Sequence, residues 1–295
     1  MISLKYFSLY VVVLIVVGYR SNYVCGAGAN CSSYRKGDNL WKPRCTDDDY
    51  WEAVQCKGEK LNGRCFCYSA EGSRIYGSEW WRSAENMTCA CSRWRETLEK
   101  AGRTDISLHC TSEGNYEELQ CDSGLCWCVE PKSGKPTQRV YPESMMTYLP
   151  CYNATLVGSQ YLRQCESKMV ARARVLKKLA THGRHYAHID AVNCEGDGSY
   201  GHYRLAGTQI YCTSKDNKQI STYQTELSNI LVTNCNCARD IGIFGEANVE
   251  FTLTCDGGGN YAPTQNSNGY PFCVDSDGFA TTNFGSIGQD LECWK

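Results

Sequence analysis

Of the side chains able to act as nucleophiles, metal ligands or redox partners, cysteine dominates this chain, with 21 in 295 residues. A thiol can attack a carbonyl, bind a metal or form a bridge, and spacing separates these uses. No Cys-x-x-Cys occurs, so a structural zinc site is not expected. The recurrent spacing is wider. Cys110 and Cys128, Cys194 and Cys212, and Cys255 and Cys273 are each 18 residues apart, and Cys45 and Cys67 are 22 apart. Each second member is followed at 20 to 23 residues by another cysteine: Cys89, Cys151, Cys235 and Cys293. Such a framework commits thiols to bridges and away from catalysis.

Other candidate chemistry is thin. His182, His185 and His188 have a spacing suited to metal or pH sensing, but Gly183 interrupts their helix and no carboxylate stands at a compatible distance. Asp47-Asp48-Asp49 lacks the spaced oxygens and closing Glu of a calcium loop and reads as a solvated turn. Gly257-Gly258-Gly259 is not followed by Lys-Ser/Thr, so it reads as a loop and not a phosphate cradle. No Gly-x-Ser-x-Gly or His-Glu-x-x-His is present. The expectation is a protein that is not an enzyme and has no cofactor or metal.

The elements that would hold the bridges follow from compartment and size. Lys5 precedes an apolar run, Phe7 to Val17, of signal-peptide length, with Val16 and Gly18 suited to a cleavage site. Residues 1–18 are therefore expected to be a signal peptide. No later apolar stretch reaches about 18 residues, so the mature chain is expected to be secreted, extracellular and free of membrane. The formal net charge of −2 removes global basicity as a route to nucleic acid. Asn86-Met87-Thr88 and Asn153-Ala154-Thr155 are glycosylation sequons, and Asn30-Cys31-Ser32 is a third formal match.

The cysteine framework implies four copies of one unit. An aromatic stands six residues after the first cysteine of each copy (Trp51, Tyr116, Tyr200, Tyr261), and another directly precedes the second (Phe66, Trp127, Tyr211, Phe272). Gly114, Gly198 and Gly259 lie two residues before the first aromatic, where the first copy has Asp49. Copies one and two carry an inner pair, Cys56/Cys65 and Cys121/Cys126. Copies three and four lack both members, with Leu205/Ile210 and Asn266/Pro271 instead. Joint loss is what a bonded pair predicts, because losing one would strand a thiol. The economical pairing is sequential: Cys25–Cys45, Cys56–Cys65, Cys67–Cys89, Cys91–Cys110, Cys121–Cys126, Cys128–Cys151, Cys165–Cys194, Cys212–Cys235, Cys237–Cys255 and Cys273–Cys293. Cys25 is preferred over Cys31 because its distance to Cys45 is nearer that of the other copies, leaving Cys31 spare. Each bridge is worth roughly 2–4 kcal/mol, decisive for units of about 60 residues.

The fullest copy, Cys110 to Val129, has Gly114-Asn115-Tyr116, Gln120-Cys121 and Cys126-Trp127-Cys128-Val129. It resembles the thyroglobulin type-1 repeat, whose signature is Gly-x-Tyr and Gln-Cys followed by Cys-Trp-Cys-Val. Copy one shares Gln55-Cys56 and Cys65-Phe66-Cys67; copies three and four resemble the two-disulfide subtype. The resemblance implies a small disulfide-rich α+β unit, a helix plus a short antiparallel sheet, repeated four times in tandem. The expected divisions are 25–89 for repeat 1, 91–151 for repeat 2, 152–164 for a linker, 165–235 for repeat 3 and 237–293 for repeat 4. Within repeat 2, Ser92 suits the N-cap of a helix over Arg93 to Ala101 stopped by Gly102. Tyr116–Leu119 and Trp127–Glu130 read as strands around the Asp122-Ser123-Gly124 turn.

Single residues, Ala90 and Asn236, separate the bridges within each pair of copies, which predicts two rigid pairs with a hinge at the longer 152–164 linker. In copy three, Glu166 to Thr181 reads as a helix with an apolar stripe of Met169, Ala173, Leu176 and Ala180. Lys168, Arg172, Arg174, Lys177 and Lys178 make its remaining surface basic, suited to an anionic glycan or an acidic protein. The resemblance further implies inhibition of papain-like cysteine proteases by loops presented as a wedge. In repeat 2 these would be Gly102-Arg103-Thr104-Asp105, Asp122-Ser123-Gly124-Leu125 and Pro131-Lys132-Ser133-Gly134 with the residues up to Pro136. In repeat 1 the loop Lys57–Arg64 is longer. The alternative expectation is a non-inhibitory extracellular binding or structural protein contacting another protein or a sulfated glycan.

Overall fold

A computed structural model describes residues 31–36, 40–103, 106–184 and 191–293. The expected signal peptide, Cys25, Thr104, Asp105, His185 and His188 lie outside the described residues.

Short strands pair only where an adjacent bridge or turn fixes their register, and four such places occur among the described residues. Strands β1 (Val54–Lys57), β2 (Arg64–Tyr68) and β3 (Arg74–Trp80) form the first antiparallel sheet; β4 (Leu119–Asp122), β5 (Leu125–Cys128) and β6 (Tyr141–Pro142) form the second. The third holds β7 (Tyr203–Ala206), β8 (Gln209–Thr213) and β9 (Gln219–Glu226), and the fourth the hairpin β10 (Thr264–Ser267) and β11 (Tyr270–Cys273). Before each hairpin the same isolated bridge forms, Cys45 to Trp51, Cys110 to Tyr116, Cys194 to Tyr200 and Cys255 to Tyr261. The position two residues before each aromatic has positive φ: Asp49 64°, Gly114 77°, Gly198 76° and Gly259 81°. The glycines meet this without a Cβ penalty, and Asp tolerates the same region.

Among the described residues the α-helices are α1 (Cys31–Lys36), α2 (Ala90–Lys100), α3 (Ala154–Val157), α4 (Gln164–Thr181) and α5 (Asn236–Glu246). Helix α2 does not start at a Ser92 cap. Cys89 takes a left-handed conformation, φ 58°, and the helix begins at once with Ala90, leaving Ser92 buried inside it. Cys235 repeats this entry to α5, φ 54°. The strands of the second hairpin also lie away from the expected spans, because the Cys121–Cys126 pair and a two-residue turn fix the register nearer the tip.

Ten disulfides pair neighbouring cysteines in chain order. The first corrects the expected Cys25–Cys45 bridge: Cys31 is bonded to Cys45. Helix α1 places Cys31, fully buried, against Trp51, Phe66 and Tyr68. Asp49 fixes that helix by accepting the backbone N–H of Ser32 at 2.7 Å. A separation of 14 residues thus suffices where the other segments use longer loops.

The segments are held together by three kinds of joint. At the first-to-second joint, Arg93 donates to the carbonyls of Tyr68 (2.8 Å) and Trp51 (2.6 Å), and Asn115 Oδ1 accepts the backbone N–H of Thr88 (2.9 Å). At the third-to-fourth joint Arg239 donates to the carbonyls of Thr213, Tyr200 and Gly201, and Asn260 Oδ1 accepts from the backbone of Asn234 (2.7 Å).

The expected hinge at 152–164 is instead packed structure. Tyr161, 2% exposed, enters the core of the second segment beside Leu119, Met146 and Leu149, with Tyr152, Val157 and Leu162 around it. Its hydroxyl donates to Ser107 O at 2.8 Å.

The fourth segment returns to the first. Lys57 Nζ contacts Asp275 and Asp277, both at 2.6 Å; Arg64 pairs with Asp240 at 2.5 Å, and Arg74 with Asp277. Three cations meet three carboxylates, so these buried charges are balanced, the condition under which charges are tolerated away from water. Burial opposes ionisation of Asp277, but Arg74 and Lys57 outweigh it and hold the carboxyl far below its usual range. Trp80 against Phe244 and Phe66 against Phe279 flank the charges. The chain therefore closes into a ring of four segments.

Candidate functional site

At the tip of the second hairpin, Ser123 (φ 53°) and Gly124 (φ 79°) make a two-residue turn between Asp122 and Leu125, which face each other in the ladder. Positive φ at both positions suits the twist of a tight hairpin. The Cys121–Cys126 bridge crosses the ladder one residue behind. Arg103 reaches this turn, its Nη2 lying 3.8 Å from Asp122 Oδ2.

On the other flank β6 pairs with Leu125 and Cys126, and Glu143 N–H donates to Gly124 O at 2.8 Å. Leu125 (47%) and Val140 (54%) are exposed here. The result is one stiff edge built from Gly102-Arg103, Asp122–Leu125 and Val140–Glu143, apolar at its middle and charged at one side.

Two of the three expected loops of this unit are thus brought together. Pro131–Gly134 is not with them. It lies at the opposite end of the hairpin, where Tyr116 N–H donates to Pro131 O (2.8 Å) and Gly134 sits against the Tyr116 ring. Glu130 accepts the N–H groups of Lys132 and Ser133, and Lys132 Nζ binds Asn86 Oδ1 at 2.9 Å. The third flank, Val140-Tyr141-Pro142, was overlooked in the sequence. Its apolar–aromatic run was the available signal, and the proline obscures it, since proline weakens a strand reading except at edges.

The first hairpin offers a longer tip. Its base residues Lys57 and Arg64 are buried and engaged by the fourth segment, and Gly58 abuts the Phe279 ring. Its tip stays open, with Leu61 73% exposed.

Helix α4 is largely exposed beyond Cys165 and Glu166. Of the expected apolar stripe, Met169 and Leu176 are half-buried, whereas Ala173 and Ala180 are exposed; the covered face instead includes Arg172 and Leu179. Lys168, Arg174, Lys177 and Lys178 are exposed, and Lys168 Nζ sits 5.0 Å over the Tyr200 ring. His182 is exposed just past the helix. Both main sequon asparagines are exposed; Asn153 Oδ1 accepts Thr155 N–H at 3.0 Å.

Behind the edge lies a buried polar cluster that spacing did not reveal. His109, 1% exposed, approaches Glu166 Oε2 at 2.7 Å through Nε2 and Glu117 Oε2 at 3.6 Å through Nδ1. Its ring stacks on Tyr161 at 4.3 Å. Arg163 pairs with Glu117 at 2.6 Å. Burial opposes protonation of His109, but Glu117 and Glu166 outweigh it and raise its pKa above the ordinary histidine value. Among the described residues, no group of three or more His, Cys, Asp or Glu is disposed to hold a metal ion. None of the described helices is long and apolar enough to cross a membrane.

Comparison with known proteins matches the thyroglobulin type-1 repeat model to residues 26–89 and 91–144. The chain is 32% identical to pig (Sus scrofa) thyroglobulin over 104 residues, covering 33% of this chain and 4% of that protein. It is 27% identical to human thyroglobulin over 144 residues, covering 42% of this chain and 5% of that one. It is 30% identical to U20-hexatoxin-Hi1a of Hadronyche infensa over 98 residues, covering 32% of this chain and 63% of the toxin. The matched stretches thus span a small fraction of thyroglobulin's length.

Proposed function

Residues 26–89 and 91–144 being thyroglobulin type-1 repeats, we propose that the protein is a secreted, glycosylated inhibitor of papain-like cysteine proteases, acting through the hairpin tips of its first two repeats. We take residues 165–235 and 237–293 as two further units of the same kind that lack the inner bridge and serve mainly to brace the first two.

The observation that carries this reading is the edge at Gly102-Arg103, Asp122–Leu125 and Val140–Glu143. It is narrow, exposed and pinned by a ladder, a bridge and a third strand. A pre-ordered edge loses little entropy on entering a cleft. Leu125 and Val140 offer apolar area to bury, and Leu61 offers the same on the first hairpin.

The test is titration of the secreted protein against papain. Leu125→Asp with Val140→Asp should weaken inhibition at least about tenfold, since burying one such side chain is worth about 1.5–3 kcal/mol. Leu61→Asp in the same assay apportions the first hairpin. Absence of inhibition at micromolar concentration by the unaltered protein would overturn the reading.

A second reading draws on α4. Its exposed cations Lys168, Arg174, Lys177 and Lys178 have no acidic neighbour on the helix other than Glu166, which is turned inward to His109. Such a ridge suits a sulfated glycan. Retention on heparin that disappears on neutralising Arg174, Lys177 and Lys178 would support it, and unchanged elution would dismiss it.

A further inference from the structure

We propose that His109 is a pH-dependent latch: its imidazolium ties the second segment to the third and thereby stiffens the hairpin edge in mildly acidic solution, and its deprotonation slackens both. The part concerning inhibition rests on the function proposed above.

The latch is geometric first. His109 directly precedes the bridged Cys110, and Glu166 directly follows the bridged Cys165, so a contact between them joins two stapled frames. Every charged or titratable group facing the imidazole belongs to this joint. Glu117 lies on the approach to β4, Glu166 in the first turn of α4, Arg163 at that helix's N-cap and Tyr161 on the packed linker. Asp197, from the third segment, reaches the cluster by accepting Arg163 at its carbonyl.

With neutral imidazole, two carboxylates face one cation, Arg163, and the His109 ring and the Glu166 carboxylate are each 1% exposed. Protonation balances the count. It also makes both ring nitrogens donors, one toward each carboxylate. His109 Nδ1 is buried without a hydrogen-bond partner and lies 3.6 Å from Glu117 Oε2, so the neutral form leaves that nitrogen unsatisfied while the protonated form aims a charged N–H at the carboxylate. Because the folded-state pKa is raised above the ordinary 6.5, the stabilisation is complete below that value and is lost as pH climbs through the folded pKa.

A short path leads from latch to edge. Tyr161 OH donates to Ser107 O (2.8 Å), and Ser107 Oγ donates to Cys121 O (2.7 Å), one residue from Asp122. His109 N–H donates to Gln120 Oε1 (3.1 Å). The run Ile106–His109 is therefore strapped to β4 on one side and to the latch on the other.

The test uses the full secreted chain. NMR titration resolves the five imidazoles, and His109→Gln assigns the one that disappears. Hydrogen exchange at His109, Cys110 and Glu117, whose amides donate to Gln120 Oε1, Gly196 O and His109 O, is corrected for intrinsic rates and compared at pH 5.5 and 8. The proposal expects a His109 pKa above the ordinary value and protection at these amides that falls about tenfold per unit of pKa displacement once the latch is deprotonated. His109→Gln should show no such pH step. Inhibition of papain over the same range should weaken with the same midpoint.

A His109 pKa at or below the ordinary value, or protection unchanged between the two pH values in the unaltered protein, would overturn the latch. Should the protein inhibit nothing at any pH, the functional reading fails while exchange still decides the latch. Inhibition that is pH-independent despite a titrating joint would overturn the coupling. The exchange data come from the unaltered chain, so a poorly folded variant does not spoil that outcome.

Discussion

The second and third hairpins have the same ladder and different staples. In the second, Cys121 faces Cys126 across the ladder and the two are bonded. In the third, Leu205 faces Ile210 at the same register, and Ile210 is 1% exposed. The outer bridges are kept in both, Cys128–Cys151 and Cys212–Cys235. The difference shows which covalent links the fold depends on. A bridge spanning five residues restrains a loop that the turn has already closed, so it removes little freedom from the unfolded chain. One spanning 23 residues removes more. An apolar cross-strand pair can stand in for the first kind.

Unfolding free energies of the altered bridges and of the apolar pair tell which links matter. Replacing Cys128 and Cys151 together by Ala should cost about 3.4 kcal/mol, because loop entropy is returned to the unfolded state. Chemical denaturation monitored by Trp fluorescence reads it. Ile210→Ala should cost about 2–4 kcal/mol, from lost burial and the cavity left behind. A cost below about 1 kcal/mol would mean that burial does not replace the bridge. Cys121→Ala with Cys126→Ala should cost about 2 kcal/mol in the loop-entropy account, and should leave the second hairpin's amide protection in place except at the tip. The smallest change is expected from transplanting the bridge: Leu205→Cys with Ile210→Cys should shift stability by less than about 1 kcal/mol, since about 2 kcal/mol of loop restraint offsets lost apolar burial. A large gain there would show that the third hairpin is loosely held without its bridge.

What the sequence made legible was local and periodic. The four first-aromatic positions and the glycines before them mark a turn that demands positive φ, and even the exception, Asp49, obeys it. The inner bridges were readable from joint loss. The Cys31–Cys45 bridge was not, because spacing ranks partners by loop length, while the choice was made by a six-residue helix whose cysteine packs on Trp51 and Phe66. The start of α2 was hidden for a similar reason: a bridged cysteine in the left-handed region gives no capping residue to read. Half of the candidate edge was visible as turn residues. Val140–Glu143 was not, since its strand exists only by pairing with β5. The packed linker was misread as a hinge because Tyr161 finds its pocket in a different segment. His109 gave no signal at all, its partner Glu166 lying 57 residues away.

Closure of the ring has a consequence for how the chain is made. Lys57 and Asp277 are separated by 220 residues, and Arg74 and Asp277 by 203. At about 5–20 residues per second, a ribosome needs roughly 10–45 s to deliver the second partner after the first. Through that interval the first unit can fold and oxidise with Lys57, Arg64 and Arg74 still hydrated, and their dehydration must await the last segment. Assembly therefore has a built-in order, in which the covalent staples precede the electrostatic seal and a prematurely halted chain carries three unmatched positive charges on its face.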